Sequence, residues 1–185
     1  CLIAATHAIL LFSVNAQQPP AKNDVNTPLH AMKVAYPVPY EAPTKENVKA
    51  VLDRIFNYLD AVTPAQMINK QSGEALSNVS QLDTNSIVKQ GDFRLTSYEW
   101  GVTYSAMQRA FETTNDQRYA DYVKTRFDFL AKWIPAVKQK FDIAYIQQKR
   151  LLNQPIDPHA LDDAGAVCAS MIKAQRSGLN NNLRS

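Results

Sequence analysis

Two adjacent aspartates, Asp162 and Asp163, precede an apolar segment and are the side chains best suited to chemistry. His159 lies about one helical turn before them in the chain. Residues 164–172 are mainly small and apolar, which is typical of a buried helix. A helix N-terminus stabilises carboxylates, but buried carboxylates still need a partner or a ligand. The pattern predicts a site of ligand-binding or acid–base carboxylates, although ordinary helices also often begin with acidic residues.

The residues before the aspartates predict where this helix begins. Asp157 suits the N-cap position, and Pro158 suits the first helical position, where its missing N–H costs nothing. We therefore expect a helix over residues 158–175 with His159 and both aspartates in its opening turns. Asp163 could alternatively pair with His159 within that turn.

Helical spacing of apolar residues predicts three earlier helices, over residues 45–62, 98–113 and 117–134. Thr44 suits the N-cap of the first helix, and Pro135 is expected to bend or end the third. The first and third helices have one polar face, whereas the second and the last are apolar on most sides. This alternation predicts an all-α protein in two layers, with outer and inner helices.

Two segments between the helices carry no clear pattern. Residues 64–96 show no sustained period and are expected to be a functional loop or to include short elements. Residues 136–156 are basic and are expected to form a short helix followed by a loop. Neither segment shows a convincing strand pattern.

Length and composition indicate one globular domain. The 185 residues are 45% hydrophobic and 20% charged, and the net charge of +3 is too small to favour nucleic acid as a partner. We expect no metal site, since His30 and His159 are the only histidines after residue 16. Cys168 is the only cysteine there and is expected to be a small buried hydrophobe. Without a Gly-rich phosphate loop either, we expect no cofactor.

The N-terminal residues are typical of an export signal. Residues 2–14 are apolar and uncharged, and the small Ala16 suits cleavage before Gln17. We interpret residues 1–16 as a truncated signal peptide, followed by a Pro-rich leader over residues 17–43. The apolar run is too short to span a bilayer. The sequence therefore predicts a secreted or periplasmic protein with no membrane anchor.

Three short motifs carry a family resemblance. They are Ser-Tyr-Glu-Trp-Gly-Val at residues 97–102, Thr-Thr-Asn-Asp-Gln-Arg-Tyr at 113–119 and Leu-Asp-Asp-Ala-Gly-Ala at 161–166. In this order and spacing they resemble the N-terminal part of unsaturated rhamnogalacturonyl hydrolases, relatives of the unsaturated glucuronyl hydrolases. The resemblance covers roughly residues 44–175.

The resemblance implies a six-hairpin (α/α)6 toroid with its active site in the central cleft. Residues 44–185 would then be the N-terminal part of the hydrolase domain and would contain its first four helices. We accordingly expect the chain to be a fragment of the enzyme.

The resemblance also implies a reaction and a substrate. The partner would be an unsaturated uronyl oligosaccharide derived from rhamnogalacturonan or pectin, and the enzyme would hydrate its 4,5 double bond. One carboxyl group would act as general acid and base, which requires a raised pKa. Asp162 best matches the substrate-binding aspartate of the family, with Asp163 as the alternative. The principal catalytic aspartate of the family has no counterpart up to Ser185, so we assign no catalytic residue in this chain and expect it to be inactive alone.

Three further residues are candidates for contact with the sugar. Trp100 could offer an aromatic platform, although a tryptophan on a buried helix is more commonly a core residue. Tyr98 and His159 are weaker candidates for substrate binding. Two alternatives stay open: a non-catalytic carbohydrate-binding or scaffold protein on the same helices, and another toroid enzyme such as a lyase or sugar epimerase. The latter would use tyrosine and histidine as acid and base.

Overall fold

The computed structural model describes residues 27, 28, 31, 42–180 and 183, and its packing separates Cys1–Pro43 from Thr44–Ser185. The expected signal peptide lies outside the described residues, as does most of the expected Pro-rich leader. No helix among the described residues has the length and apolar character needed to cross a membrane. Within residues 44–180 the chain forms six α-helices: α1 Lys45–Val62, α2 Tyr98–Thr114, α3 Gln117–Lys140, α4 Ile143–Lys149, α5 Asn153–Ile156 and α6 Leu161–Arg176.

The described chain is mostly helical, which confirms the all-α class. The four long helices lie close to the predicted positions, and α4 and α5 are short additions within the segment that the sequence left ambiguous. Residues 64–96 also contain short elements, contrary to the absence of a strand pattern. β1 (Met67–Asn69) pairs antiparallel with β2 (Ser86–Val88), and a 3-10 turn at Val79–Gln81 lies between them. Strands of this length are too short to establish the alternation by which strands are predicted.

Helix α1 begins as predicted, because the Thr44 hydroxyl accepts a hydrogen bond from the Asn47 N–H at 3.2 Å. One side of α1 contributes the buried Phe56 to the core, with Leu52 and Leu59 packed against it. A second apolar stripe of α1 is largely exposed among the described residues: Val48, Val51, Ile55 and Tyr58.

A charged cluster holds α1 against the turn between α2 and α3. Asp116 caps α3, and its carboxylate accepts hydrogen bonds from the Arg118 guanidinium and from Lys49 on α1. Asp53 on α1 accepts hydrogen bonds from Lys49, Arg118 and the Tyr119 hydroxyl, at 2.6, 2.8 and 2.9 Å. The motif at residues 113–119, one of the three that carry the family resemblance, therefore joins the α2–α3 turn to α1.

Helix α3 forms the centre of the core and is longer than predicted. Its fully buried side chains include Tyr119, Val123, Phe127 and Leu130. The helix continues through Pro135 to Lys140, so the predicted end near residue 134 is wrong. A proline removes only one backbone donor, and the buried Val137 beyond it keeps this last part of the helix against the core.

Helix α6 packs along α2 through one face, on which Val167, Ser170 and Ala174 are buried. The Gln108 amide on α2 donates a hydrogen bond to the Ser170 carbonyl at 3.0 Å. The opposite face of α6 is exposed within the described part of the chain, and Ile172 there is 53% exposed.

The prediction that α2 and α6 lack a solvent side is therefore wrong for the described unit. Val102 on α2 is 49% exposed, and Leu161 at the start of α6 is 89% exposed. Cys168 is also exposed, which contradicts the expectation of a buried thiol. Apolar composition alone cannot show whether a neighbouring element covers a helix face.

Candidate functional site

The start of α6 differs from the prediction. The helix begins at Leu161 with Ala160 at the N-cap, and Ala160 has no side chain that could accept a capping hydrogen bond. Asp157 instead ends α5, where its N–H bonds to the Asn153 carbonyl. Pro158 therefore lies between the helices, and the aspartate pair, rather than Pro158 and His159, occupies the first turn of α6.

Asp163 joins three helices. Its Oδ1 accepts the backbone N–H of Tyr98, the first residue of α2, at 2.7 Å. Its Oδ2 accepts a hydrogen bond from the side-chain amide Nε2 of Gln154 on α5 at 2.5 Å, and Oε1 of the same side chain accepts one from the Thr96 hydroxyl at 2.8 Å. Since the N-cap residue Ser97 makes no side-chain capping bond in the described structure, Asp163 provides the cap for α2.

Asp162 has a different environment from its neighbour. It is exposed, and its Oδ1 accepts only the backbone N–H of Asp163 at 2.9 Å. Among the described residues its carboxylate makes no hydrogen bond or ion pair with another side chain. Asp162 is therefore the carboxylate of the pair that is free to bind a ligand.

His159 does not approach Asp163. Its Nε2 lies 3.4 Å from Asp157 Oδ2, and both side chains are substantially exposed. The alternative pairing of His159 with Asp163 is therefore wrong, because Pro158 and His159 precede the helix and do not share its first turn. The substrate-binding role suggested for His159 stays a prediction.

The two aromatic candidates lie on opposite sides of α2. Trp100 is 4% exposed, and its indole N–H donates a hydrogen bond to the Tyr122 hydroxyl at 3.1 Å. Phe93 stacks on the Trp100 ring with 4.6 Å between ring centroids. Tyr98 is 49% exposed at the helix start, beside the carboxylate that caps its N–H. A sugar contact by either Trp100 or Tyr98 stays a prediction, and the burial of Trp100 gives that ring a packing role.

A cleft of about 790 Å³ lies next to this network. One wall is the segment that leads into α2, residues 87–96, and the other is formed by residues of α4 and α5 between 147 and 154. Thr96 and Gln154, which connect to Asp163, belong to its lining. The starts of α2 and α6 are thus linked to a cavity large enough for an oligosaccharide.

Sequence reasoning missed the cleft walls, because residues 87–96 and 147–154 showed no sustained period. The one available signal was the set of basic residues within these segments, including Arg94 and Arg150. Among the described residues, no group of three or more His, Cys, Asp or Glu side chains is arranged to hold a metal ion.

A mostly helical chain with a pair of aspartates at a helix start, one of them hydrogen-bonded to the lining of a cleft, is consistent with an all-α glycosidase. The sequence model of Glycosyl Hydrolase Family 88 matches residues 58–179, which is more than half of the chain. The protein therefore belongs to glycosyl hydrolase family 88. No curated protein matched the chain. Family membership suggests an oligosaccharide substrate that ends in an unsaturated uronide.

Proposed function

We propose that the protein is part of an unsaturated rhamnogalacturonyl hydrolase, which hydrates the 4,5 double bond of a terminal uronide on pectin-derived oligosaccharides. The observation that carries the proposal is the exposed Asp162 carboxylate, which has no side-chain partner among the described residues. Asp163 beside it is engaged by Tyr98 and Gln154. We therefore assign substrate binding to Asp162 and positioning of the helix starts to Asp163.

Hydration adds a proton to one alkene carbon and the oxygen of water to the other. The hemiketal so formed opens and releases the next sugar. A carboxyl group that both delivers this proton and activates the water needs a pKa raised towards neutrality, usually by burial. In the described part of the chain, every carboxyl group with a clearly shifted pKa has that pKa lowered by hydrogen bonds: Glu46, Asp53, Asp83, Glu99, Glu112 and Asp116.

We propose that the acid/base carboxyl is supplied by a longer protein that contains this chain. The exposed apolar side chains of α1, α2 and α6 support this, since further helices of an (α/α)6 toroid would cover them. Each large side chain left uncovered forfeits about 1.5–3 kcal/mol of burial free energy.

Two assays test the proposal. The 185-residue chain and a longer protein containing it are each mixed with unsaturated rhamnogalacturonan disaccharide, and the ultraviolet absorbance of the conjugated double bond is followed. We expect turnover by the longer protein alone. Sustained turnover by the 185-residue chain would contradict the fragment proposal. No turnover of any unsaturated uronide by the longer protein would contradict the proposed reaction.

Among the described residues, the cleft lining contains a single carboxyl group, that of Asp92, which favours a second candidate, a non-catalytic carbohydrate-binding protein on these helices. This candidate predicts that the longer protein binds the disaccharide without consuming its double bond. The absorbance assay combined with a binding titration therefore distinguishes the two functions.

We also propose that the protein is exported, to the periplasm or the outside of the cell. The apolar residues 2–14 followed by Ala16 support this. N-terminal sequencing of the mature protein should begin at Gln17. An unprocessed protein found in the cytoplasm would contradict the proposal.

A further inference from the structure

The cleft beside the aspartates carries an excess of positive charge. Four basic residues, Lys89, Arg94, Lys149 and Arg150, line it together with a single acidic residue, Asp92. Asp92 already accepts a hydrogen bond from the Tyr58 hydroxyl at 3.1 Å. The cleft is therefore electropositive within a chain whose overall net charge is only +3.

The two arginines of the cleft are available to a ligand, whereas the two lysines already contact neighbouring side chains. Lys89 donates a hydrogen bond to the Gln66 side chain at 3.2 Å, and Lys149 lies over the Tyr145 ring at 6.0 Å. The guanidinium groups of Arg94 and Arg150, in contrast, make no hydrogen bond with any described residue. Within the described part of the chain, the only charged group that acts on Arg94 is the exposed Glu99 carboxylate, which attracts it without a hydrogen bond. A guanidinium offers a planar fork of donors that matches a carboxylate in two parallel hydrogen bonds.

An aromatic ring completes the lining. Phe93 belongs to the cleft and is 41% exposed, while Trp100 stacks against it and Tyr58 meets it edge to face. Trp100 is buried and donates a hydrogen bond to the Tyr122 hydroxyl, so it supports the Phe93 ring in a fixed position. The apolar face of a sugar packs well on such a supported ring. Phe93 is thus better placed than Trp100 to be the aromatic platform.

We propose that this cleft is a subsite for an acidic sugar, in which Phe93 stacks against the ring and Arg94 and Arg150 bind its uronate carboxylate. The inference rests on the proposed function, because a uronide-containing oligosaccharide is the ligand that supplies both a sugar face and a carboxylate. Through Thr96, Gln154 and Asp163 the subsite is connected by hydrogen bonds to the starts of α2 and α6. It would hold a second uronate of the oligosaccharide and so select acidic substrates.

The test is a calorimetric titration with saturated trigalacturonate, which has no double bond to hydrate. Binding therefore reports the subsite independently of the reaction, so failure of the hydrolase proposal and failure of this inference are distinguishable. The wild-type protein should bind trigalacturonate. Arg94→Gln and Arg150→Gln should each raise the Kd about fivefold to tenfold, and Phe93→Leu about fivefold.

Matched controls separate charge from shape. Arg109→Gln makes the same chemical change at an exposed arginine of α2 that does not line the cleft, and should leave the Kd unchanged. The methyl ester of trigalacturonate keeps the sugar shape without the charge and should bind weakly to all variants. Circular dichroism of each variant checks that it is folded.

Four results would overturn the inference, and the first three concern trigalacturonate. They are absence of trigalacturonate binding by the wild type, equal binding by the wild type and the two arginine variants, and equal binding of the acid and its methyl ester. Tighter binding of a disaccharide that carries sulfate and no carboxylate would also overturn the assignment to uronate.

Discussion

Gly101 on α2 lies against the backbone of Ala166 on α6. A Cβ atom built at position 101 would stand 2.4 Å from the Ala166 carbonyl carbon and 2.6 Å from the Val167 nitrogen. Backbone atoms on a packed helix cannot move aside as the end of a flexible side chain can. The close approach of α2 and α6, and with it the hydrogen bond between Tyr98 and Asp163, therefore depends on the absence of a side chain at residue 101.

Gly101→Ala should destabilise the protein because α2 and α6 must move apart. We expect a loss of about 1–3 kcal/mol in the free energy of unfolding, measured by urea denaturation. Gly165→Ala is the matched control, since a Cβ there meets nothing within 4 Å, and alanine improves helix propensity by up to about 1 kcal/mol. Equal stability of the two variants would contradict the close approach of the helices.

The neighbouring aspartates should respond differently to the same substitution. Asp162→Asn removes a free carboxylate and should lower the activity of the longer protein strongly, with unfolding free energy changed by less than about 0.5 kcal/mol. Asp163→Asn places an amide N–H₂ against the Gln154 amide donor and should cost about 1–2 kcal/mol of stability. Thermal unfolding and turnover are measured on both variants. A loss of stability in the Asp162 variant alone would show that Asp162, and not Asp163, positions the helix starts.

The charged cluster between α1 and α3 should weaken in acid. Hydrogen bonds from Arg118 and Lys49 lower the pKa of Asp116, and a hydrogen bond from Lys49 lowers that of Asp53. Folded-state pKa values below the ordinary 3.8 mean that the cluster stabilises the fold above that pH. This contribution is lost as the pH falls through the folded-state pKa values.

The urea midpoint should therefore decline as the pH is lowered below about 4, and Asp116→Asn should reduce the decline. The variant should also be less stable than the wild type at neutral pH. Because the carboxylates of Asp53 and Asp116 are both partly solvated, added salt should weaken the effect. Identical pH profiles for the variant and the wild type would show that the cluster does not contribute.

Arg126 should be more important to stability than the exposed arginines. It is 3% exposed, its Nη2 donates to both the carbonyl and the hydroxyl of Thr63 at 2.9 Å, and its guanidinium lies 3.5 Å from the centre of the Tyr122 ring. Arg126→Lys cannot reproduce this planar arrangement and should cost about 1–3 kcal/mol. Arg109→Lys changes only an exposed pair with Glu112 and should cost less than about 0.5 kcal/mol in urea denaturation. Equal costs would contradict the structural role of Arg126.

The positions of the long helices could be predicted from the sequence because their signals are local. Apolar spacing located α1 and α2 within a residue, and the Thr44 cap was recognisable from its residue type. The same reasoning ended α3 at Pro135 and began α6 at Pro158, since proline is a local signal that tertiary packing can override. The aspartate pair was also found locally, from two carboxylates before an apolar run.

The sequence by itself determined the helical class and placed two carboxylates at the start of a helix, because periodicity and capping act over a few residues. Only the tertiary structure separated Asp162 from Asp163, since the partners of Asp163 are Tyr98, far away in sequence, and Gln154 on a helix too short to predict. The same holds for the basic cleft, whose two walls, the segment before α2 and residues of α4 and α5, meet only in the folded chain. The availability of a carboxylate to a ligand depends on which donors the fold brings to it, and residue type alone does not specify those donors.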